Sequence, residues 1–367
     1  MSTLRDNQRQ LVTAVLAGLR GEHVEPLAMT LEQVRFAGLA TGLTALLGDL
    51  RGAPLFAVDD GSIDAYIDEQ RGQVRTRVAR FRKLQERVTE ALAGADVPAV
   101  FVKGAELIDG VWPYPLARPM ADLDVVVHPH LRAQAGAALV AAGCAWWTST
   151  AYEDAFLGWG DGGVGRLDGE SADHNGRVEV HPGWLEFVHG YEVAGFDVIG
   201  AAQPVDGRLR LPLDALTAHV LGHLGATVVR AEVRPLNVVD TWFCHRRGAD
   251  WQHVSRLLEG ADPRLAAPGL WLVDRLIPGT VPGEVVASQL QRLPAPARDL
   301  LDATEPHEVF RDPNARTTFR WRQAFTIAPR ERVRVVEQMV WPDPHRSIGA
   351  TVDRVTARRR RGARLAT

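Results

Sequence analysis

At 367 residues, 46% of them hydrophobic, the chain is long enough for two or three domains with sizeable cores. A formal net charge of −3 argues against a surface given over to nucleic acid, though it leaves room for a local basic patch. Two cysteines, Cys144 and Cys244, without CxxC spacing, exclude a disulfide framework and fit a reducing, cytoplasmic compartment.

Residues 1–95 read as a helical region. The opening "MSTLRDNQRQLVTAVLAGLRGEH" is amphipathic and charged, unlike a signal peptide. No run approaches the roughly 20 apolar residues of a membrane span, so no membrane is expected as a partner. The clearest helix is "RTRVARFRKLQERVTEALAG", where Val78, Phe81, Leu84, Val88 and Leu92 recur at three- and four-residue steps and Gly94 is placed to stop it.

The period then changes. "VPAVFVKG" (97–104) is a buried-strand candidate and "AELIDGVW" (105–112) a helical turn or two. "PYPLARPM" is a loop, because Pro113, Pro115 and Pro119 cannot share one regular element. "DLDVVV" (122–127) is a second strand, "LRAQAGAALVAAG" a helix, "CAWWTST" a third strand and "RVEVH" (177–181) a fourth. Residues 158–176 are rich in Gly and Asp and read as a long mobile loop. The whole predicts an α/β (α+β) core with a short mixed sheet over 96–205, between helical flanks.

After about residue 206 the helical period returns and holds to about 345. "LPLDALTAHVLGHLGA" sets Leu213, Leu216, Val220 and Leu224 on one face. "RPLNVVDTWFCHRRG", ending at Gly248, and "DWQHVSRLLEG" follow, and "RERVRVVEQMVW" is stopped by Pro342. Residues 346–367 form a basic tail containing "RRRR" (358–361), a solvated end that would hold RNA only through its charge.

The chemistry concentrates in 101–129. Alternate residues of a strand share a face, so Asp122 and Asp124 point the same way. Two carboxylates so close repel, and a divalent cation resolves the conflict. Glu179 offers a third carboxylate from a neighbouring strand. Lys103-Gly104 ends one strand and opens a helix, where glycine lets backbone N–H groups approach phosphate and Lys103 adds a point charge. Arg118 is a candidate bidentate phosphate clamp. Anion donors beside metal-binding carboxylates suit a nucleoside triphosphate.

This order of motifs resembles the DNA polymerase β-type nucleotidyltransferase superfamily. More narrowly it is similar to a family of mostly uncharacterised bacterial nucleotidyltransferases, on "VKGAEL", "YPLARPMADLDVVV", "VEVHPGW", "LTAHVLGH" and "LNVVDTWF", over about residues 30 to 345. The resemblance implies that Asp122 and Asp124 bind both metals and that Glu179 completes the catalytic set. It places Gly104 and Ala105 on the phosphate-binding turn. Ala105 departs from the Ser or Gly common there, and the gap from Gly104 to Asp122 is longer than the superfamily's.

The implied reaction is Mg²⁺- or Mn²⁺-dependent transfer of a nucleoside monophosphate from an NTP, ATP first, to an acceptor that is a small molecule, peptide, protein or RNA. A nucleotide-holding module without turnover and an RNA-modifying, toxin-type transferase are the alternatives. His181, His219, His223 and Asp240 are candidates for the acceptor site. His219 and His223, at i and i+4, also have metal-compatible spacing, though nothing nearby completes a zinc site. Asp240, if buried, needs a partner, and one of these histidines is expected. Asp173 and His174 fall in the Gly-rich loop, and Trp146 and Trp147 are expected to pack.

Overall fold

The change of period near residue 95 marks a change of architecture. The computed structural model describes residues 4–50, 56–57, 61–150, 153–158, 176–188, 191–311, 319–327 and 331. The Gly-rich loop with Asp173 and His174, the helix expected over 330–341 apart from position 331, and the basic tail lie outside these.

Four helices lead: α1 (Leu4–Arg20), α2 (Leu31–Thr41), α3 (Thr44–Leu47) and α4 (Ser62–Ala93). A capping box formed by Thr30 and Gln33 starts α2. In α4 the expected stripe, Val78, Phe81, Leu84, Val88 and Leu92, is buried. It ends at Ala93 with Gly94 at its C-cap, as the sequence suggested. Gly94 keeps a right-handed conformation, and Asp96, at φ 52°, makes the left-handed turn into the sheet.

The α/β part follows as β1 (Ala99–Phe101), α5 (Gly104–Gly110), β2 (Asp122–Val127), α6 (Arg132–Ala141), β3 (Ala145–Ser149), β4 (Asp154–Leu157) and β5 (Arg177–Pro182). A hairpin of β6 (Leu185–Val188) and β7 (Tyr191–Ala194) comes next, then α7 (Val198–Ala201), β8 (Gln203–Val205) and β9 (Arg208–Arg210). Seven strands form one mixed sheet in the order β3-β4-β5-β2-β1-β9-β8. β2 runs parallel to β5 and antiparallel to β1. The fold class is therefore the expected one: a mixed α/β sheet with helical flanks. The sequence reading missed β4, the β6–β7 hairpin and the β8–β9 pair, all of three or four residues, too short to show a period.

The C-terminal helices are α8 (Leu213–Arg230), α9 (Leu236–Arg246), α10 (Trp251–Glu259), α11 (Pro263–Leu276), α12 (Gly283–Gln291), α13 (Ala295–Asp302) and α14 (Phe319–Ala324). Gly248, at φ 92°, turns the chain after α9 as expected. The single apolar face expected for α8 is a correction: the helix is buried nearly all round, because other helices and the β6–β7 hairpin enclose it. It meets α11 backbone to backbone. A Cβ at Gly225 would lie 1.9 Å from the Leu265 carbonyl oxygen, and one at Gly269 would lie 2.6 Å from that of Leu221.

Two apolar cores result. One lies on the sheet face carrying Leu123, Val125, Val127, Val178 and Val180, covered by α6 and the later half of α4. The other collects Val100, Val102 and Val126 from the opposite face with the C-terminal helices. The helices α1 and α2, read from sequence as part of a separate flank, share this second core. That arrangement sets the acidic residues of β2 and β5 opposite a wall of C-terminal helices.

Candidate active site

Strand register brings the acidic residues together. In the β2–β5 pair Asp122 stands opposite Arg177, Asp124 opposite Glu179 and Val126 opposite His181. Since alternate residues share a face, these six side chains lie on the side away from Leu123 and Val178. They border a cleft of about 810 Å³ whose far wall comes from β6, α8, the turn after it and α9.

One ligand atom from each of Asp124, Glu179 and His181 lies within 4.8 Å of the others. His181, read from sequence as an acceptor-side residue, is thus next to the carboxylates, with Nε2 at 3.1 Å from Asp124 Oδ1 and 3.8 Å from Glu179 Oε2. Asp122 sits at the strand's entrance and accepts from Arg177 Nη2 at 3.2 Å. The same Nη2 lies 2.5 Å from Glu179 Oε1. Arg177 in turn lies under the Trp147 ring, 5.4 Å from its centroid, which accounts for that tryptophan as packing.

Lys103 Nζ donates to Asp124 Oδ1 at 2.6 Å. It is held by a backbone of positive φ, 52° with ψ −124°, a costly conformation for a residue with a Cβ. Burial works against the Lys103 ammonium, but Asp124, Glu186, Asp122 and Glu179 outweigh it and raise its pKa above the ordinary lysine value. Burial alone would raise Asp124, yet Lys103 and His181 hold it below the usual carboxylate range. Glu179 goes the other way. Burial first, then repulsion from Asp122, Asp124 and Glu153, push it well above its ordinary value against the pull of Arg177.

The turn at Gly104 has room for nothing larger. A Cβ there would fall 2.6 Å from Arg118 Nη1 and 3.2 Å from Met120 Cγ. The side chain of Ala105 is buried in the core beneath the sheet and does not border the cleft. The helix that follows has only seven residues, so the turn offers an open backbone more than a strong helix dipole.

Arg118 has a partner the sequence did not suggest. Its Nε and Nη2 donate to Asp240 Oδ1 and Oδ2 at 2.8 and 2.7 Å, and Trp112 Nε1 adds a third bond to Oδ1 at 2.7 Å. The histidine partner expected for Asp240 is therefore corrected. The loop after α5 brings Arg118 to α9, while the histidines of α8 are engaged elsewhere. His219 is buried against Trp184, with ring centroids 4.7 Å apart. Burial, then Lys103, push its pKa down to about 3. His223 Nδ1 lies 2.9 Å from Glu186 Oε1.

Glu186 and Arg177 are among the cleft residues that sequence reasoning missed. For Glu186, electrostatics are decisive. Burial opposes its charge, but His223, Lys103 and Arg230 hold it well below the usual carboxylate range. Its signal was the alternating "LEFV" just after "VEVHPGW", readable as a strand with one acid inside.

With this geometry in hand, comparison with known proteins is informative. The family described as "Uncharacterised nucleotidyltransferase" matches residues 36–277. The chain belongs to that family. Its members' name implies a nucleotide substrate, and the acidic pair of β2 and β5 lies inside the matched span. No curated protein matches. Among solved structures, the crystal structure of JHP933 from Helicobacter pylori is similar at 14% identity, covering 72% of this chain and 95% of that one; its TM-score of 0.30 is too low to carry an argument. Among the described residues, no helix is long and apolar enough to cross a membrane.

Proposed function

We propose that this nucleotidyltransferase family member moves a nucleoside monophosphate from an NTP, with ATP the first candidate, to an acceptor bound against the helical wall, in the manner of the DNA polymerase β-type superfamily. The observation that carries the reading is the registered pair Asp124–Glu179, with Asp122 one step away, facing the same cleft as the Gly104 turn.

The donor set fits a divalent cation: two buried carboxylates that repel each other and a histidine nitrogen, all within reach of one ion. Asp124 and Glu179 would hold it, with His181 and Asp122 beside them; the imidazole favours Mn²⁺ over Mg²⁺ as a partner. Bound there, such an ion would neutralise phosphate charge and acidify the acceptor group.

The remaining work falls to the chain. Gly104 leaves the backbone open to the phosphates. Lys103 and Arg177 hold the carboxylates in place, and Lys103 with His181 keeps Asp124 charged. The acceptor's oxygen or nitrogen forms a bond to the α-phosphorus while the bond to the pyrophosphate oxygen breaks. The proton released has Glu179 and His181 to go to. Most of the rate enhancement would come from positioning and charge stabilisation.

The test is a panel of labelled NTPs with Mg²⁺ or Mn²⁺, read as pyrophosphate release and label transfer. Asp124→Ala should reduce both by roughly 10²-fold or more while circular dichroism stays native. Undiminished transfer in that variant would sink the proposal. A second reading, a nucleotide-holding module without turnover, draws on one observation: Lys103 and Arg177 already neutralise the acidic residues from within. Saturable NTP binding with no pyrophosphate release from any NTP would favour it.

A further inference from the structure

A triphosphate needs cations, and the strand wall of the cleft commits its own elsewhere. Lys103 and Arg177 face carboxylates, and Arg118 is gripped by Asp240. The opposite wall brings two further arginines to the cleft. Helix α8 ends at Arg230, and Ala231 turns the chain sharply in a left-handed conformation, φ 54°. Val233 then forms a parallel bridge with Phe310. Val233 N–H donates to the Val309 carbonyl at 3.0 Å, and Arg311 N–H donates to that of Val233 at 2.9 Å. From α1, Gln8 Nε2 donates to the Arg311 carbonyl at 3.0 Å and braces the second segment.

Val233 and Phe310 are both buried in the core. Extended residues alternate sides. Arg234 and Arg311, the next residues on the two bridged segments, therefore emerge on the other side, and both border the cleft. Arg234 also borders Pro119, Met120 and Ala121, the residues that lead into Asp122. Two guanidinium groups on braced backbone, beside the entrance to the acidic strand, suit a phosphate chain by charge and by fork geometry.

We infer that Arg234 and Arg311 form an anion clamp for the phosphate tail of the nucleotide, an assignment that rests on the nucleotidyl-transfer reading above. The clamp takes the bidentate role first expected of Arg118, whose Nε and Nη2 face Asp240. A phosphate carried by the acceptor has the same chemistry. The neighbourhood of Arg234 with residues 119–121 favours the nucleotide.

The experiment is calorimetric titration of the full chain with inorganic tripolyphosphate, inorganic phosphate and AMP, in the presence of a chelator. The variants are Arg234→Gln, Arg311→Gln, their double variant and Arg234→Lys. Tripolyphosphate affinity should fall roughly tenfold in each Gln variant and further in the double, with partial recovery in Arg234→Lys. AMP affinity should not change, and circular dichroism should stay native. Equal tripolyphosphate affinity in wild type and double variant overturns the clamp, as does a wild type that binds none. A loss confined to inorganic phosphate also overturns it, in favour of an acceptor phosphate. Failure of the transfer reading is seen separately, as turnover that survives Asp124→Ala or as no turnover of any NTP, and neither changes what tripolyphosphate binding reports.

Discussion

Two ion pairs near Gly104, one buried and one partly open to the cleft, are built for different ends. Arg118 and Asp240 share two parallel bonds through Nε and Nη2, and Trp112 adds a third bond to Asp240. Lys103 reaches Asp124 with one ammonium bond on an oxygen that His181 also approaches. The first pair joins the Pro-rich loop to α9 and leaves Arg118 only Nη1, beside the Gly104 turn, to face a ligand. The second is a point contact on a strained turn at the cleft, the kind of charge pair that an incoming cation or phosphate can rearrange. Burial of the carboxylate alone, equal in Asp124 and Asp240, therefore does not separate a structural pair from a functional one. The number of bonds that each partner has committed does.

The sharpest way to break the comparison is to truncate each cation. Arg118→Ala leaves the Asp240 carboxylate buried and uncompensated, and should cost about 3–5 kcal/mol in urea unfolding. Replacing both partners at once, Arg118→Met with Asp240→Leu, should recover much of that loss, because an apolar pair leaves no charge unpaired. Lys103→Met should cost less, about 1–2 kcal/mol, since His181 still approaches Asp124 and the lysine is partly open to the cleft. The same variant should bind Mn²⁺ roughly tenfold more tightly without nucleotide, measured by electron paramagnetic resonance, because the competing internal cation is gone. Weaker Mn²⁺ binding in Lys103→Met would place Lys103 with Arg118, as a structural tie.

An effect of similar size concerns pH. His219 has its folded pKa pushed down to about 3, below the ordinary histidine value near 6.5. Between those values the unfolded chain takes up a proton that the folded chain does not. Stability is therefore lost as pH falls from about 6.5. The linkage amounts to about 2 kcal/mol between pH 7 and pH 5. Urea midpoints of His219→Phe should show a flatter pH dependence than wild type over that range, and an unchanged slope would mean that His219 titrates freely.

The legible part of the site was the part that strand periodicity governs. Asp122 and Asp124 share a face by alternation, and Glu179 joins them because β5 is a strand of the same register. The second wall is assembled by long-range contacts that no local period encodes. Asp240 meets an arginine 122 residues earlier, and Glu186 meets His223 from a four-residue strand. Arg234 and Arg311 become neighbours through a single backbone bridge. Arg118 could be seen in sequence as a cation near phosphate, but its partner could not, because only the packing of the Pro-rich loop on α9 brings them together. Within the fold, the same reasoning found the long helices and the central strands and missed the short edge strands.

Helix α4 has a consequence for how the protein can come apart. Over its 32 residues, a rod of roughly 48 Å, its early side chains Ile63, Tyr66 and Ile67 belong to the core of the C-terminal helices, and its later ones, from Val74 to Leu92, to the core beneath the sheet. A single rigid spar is thus mortised into both halves. Loosening either end withdraws support from the other, so the two cores should melt as one calorimetric event, and a truncated chain beginning at residue 96 would leave both without their shared beam.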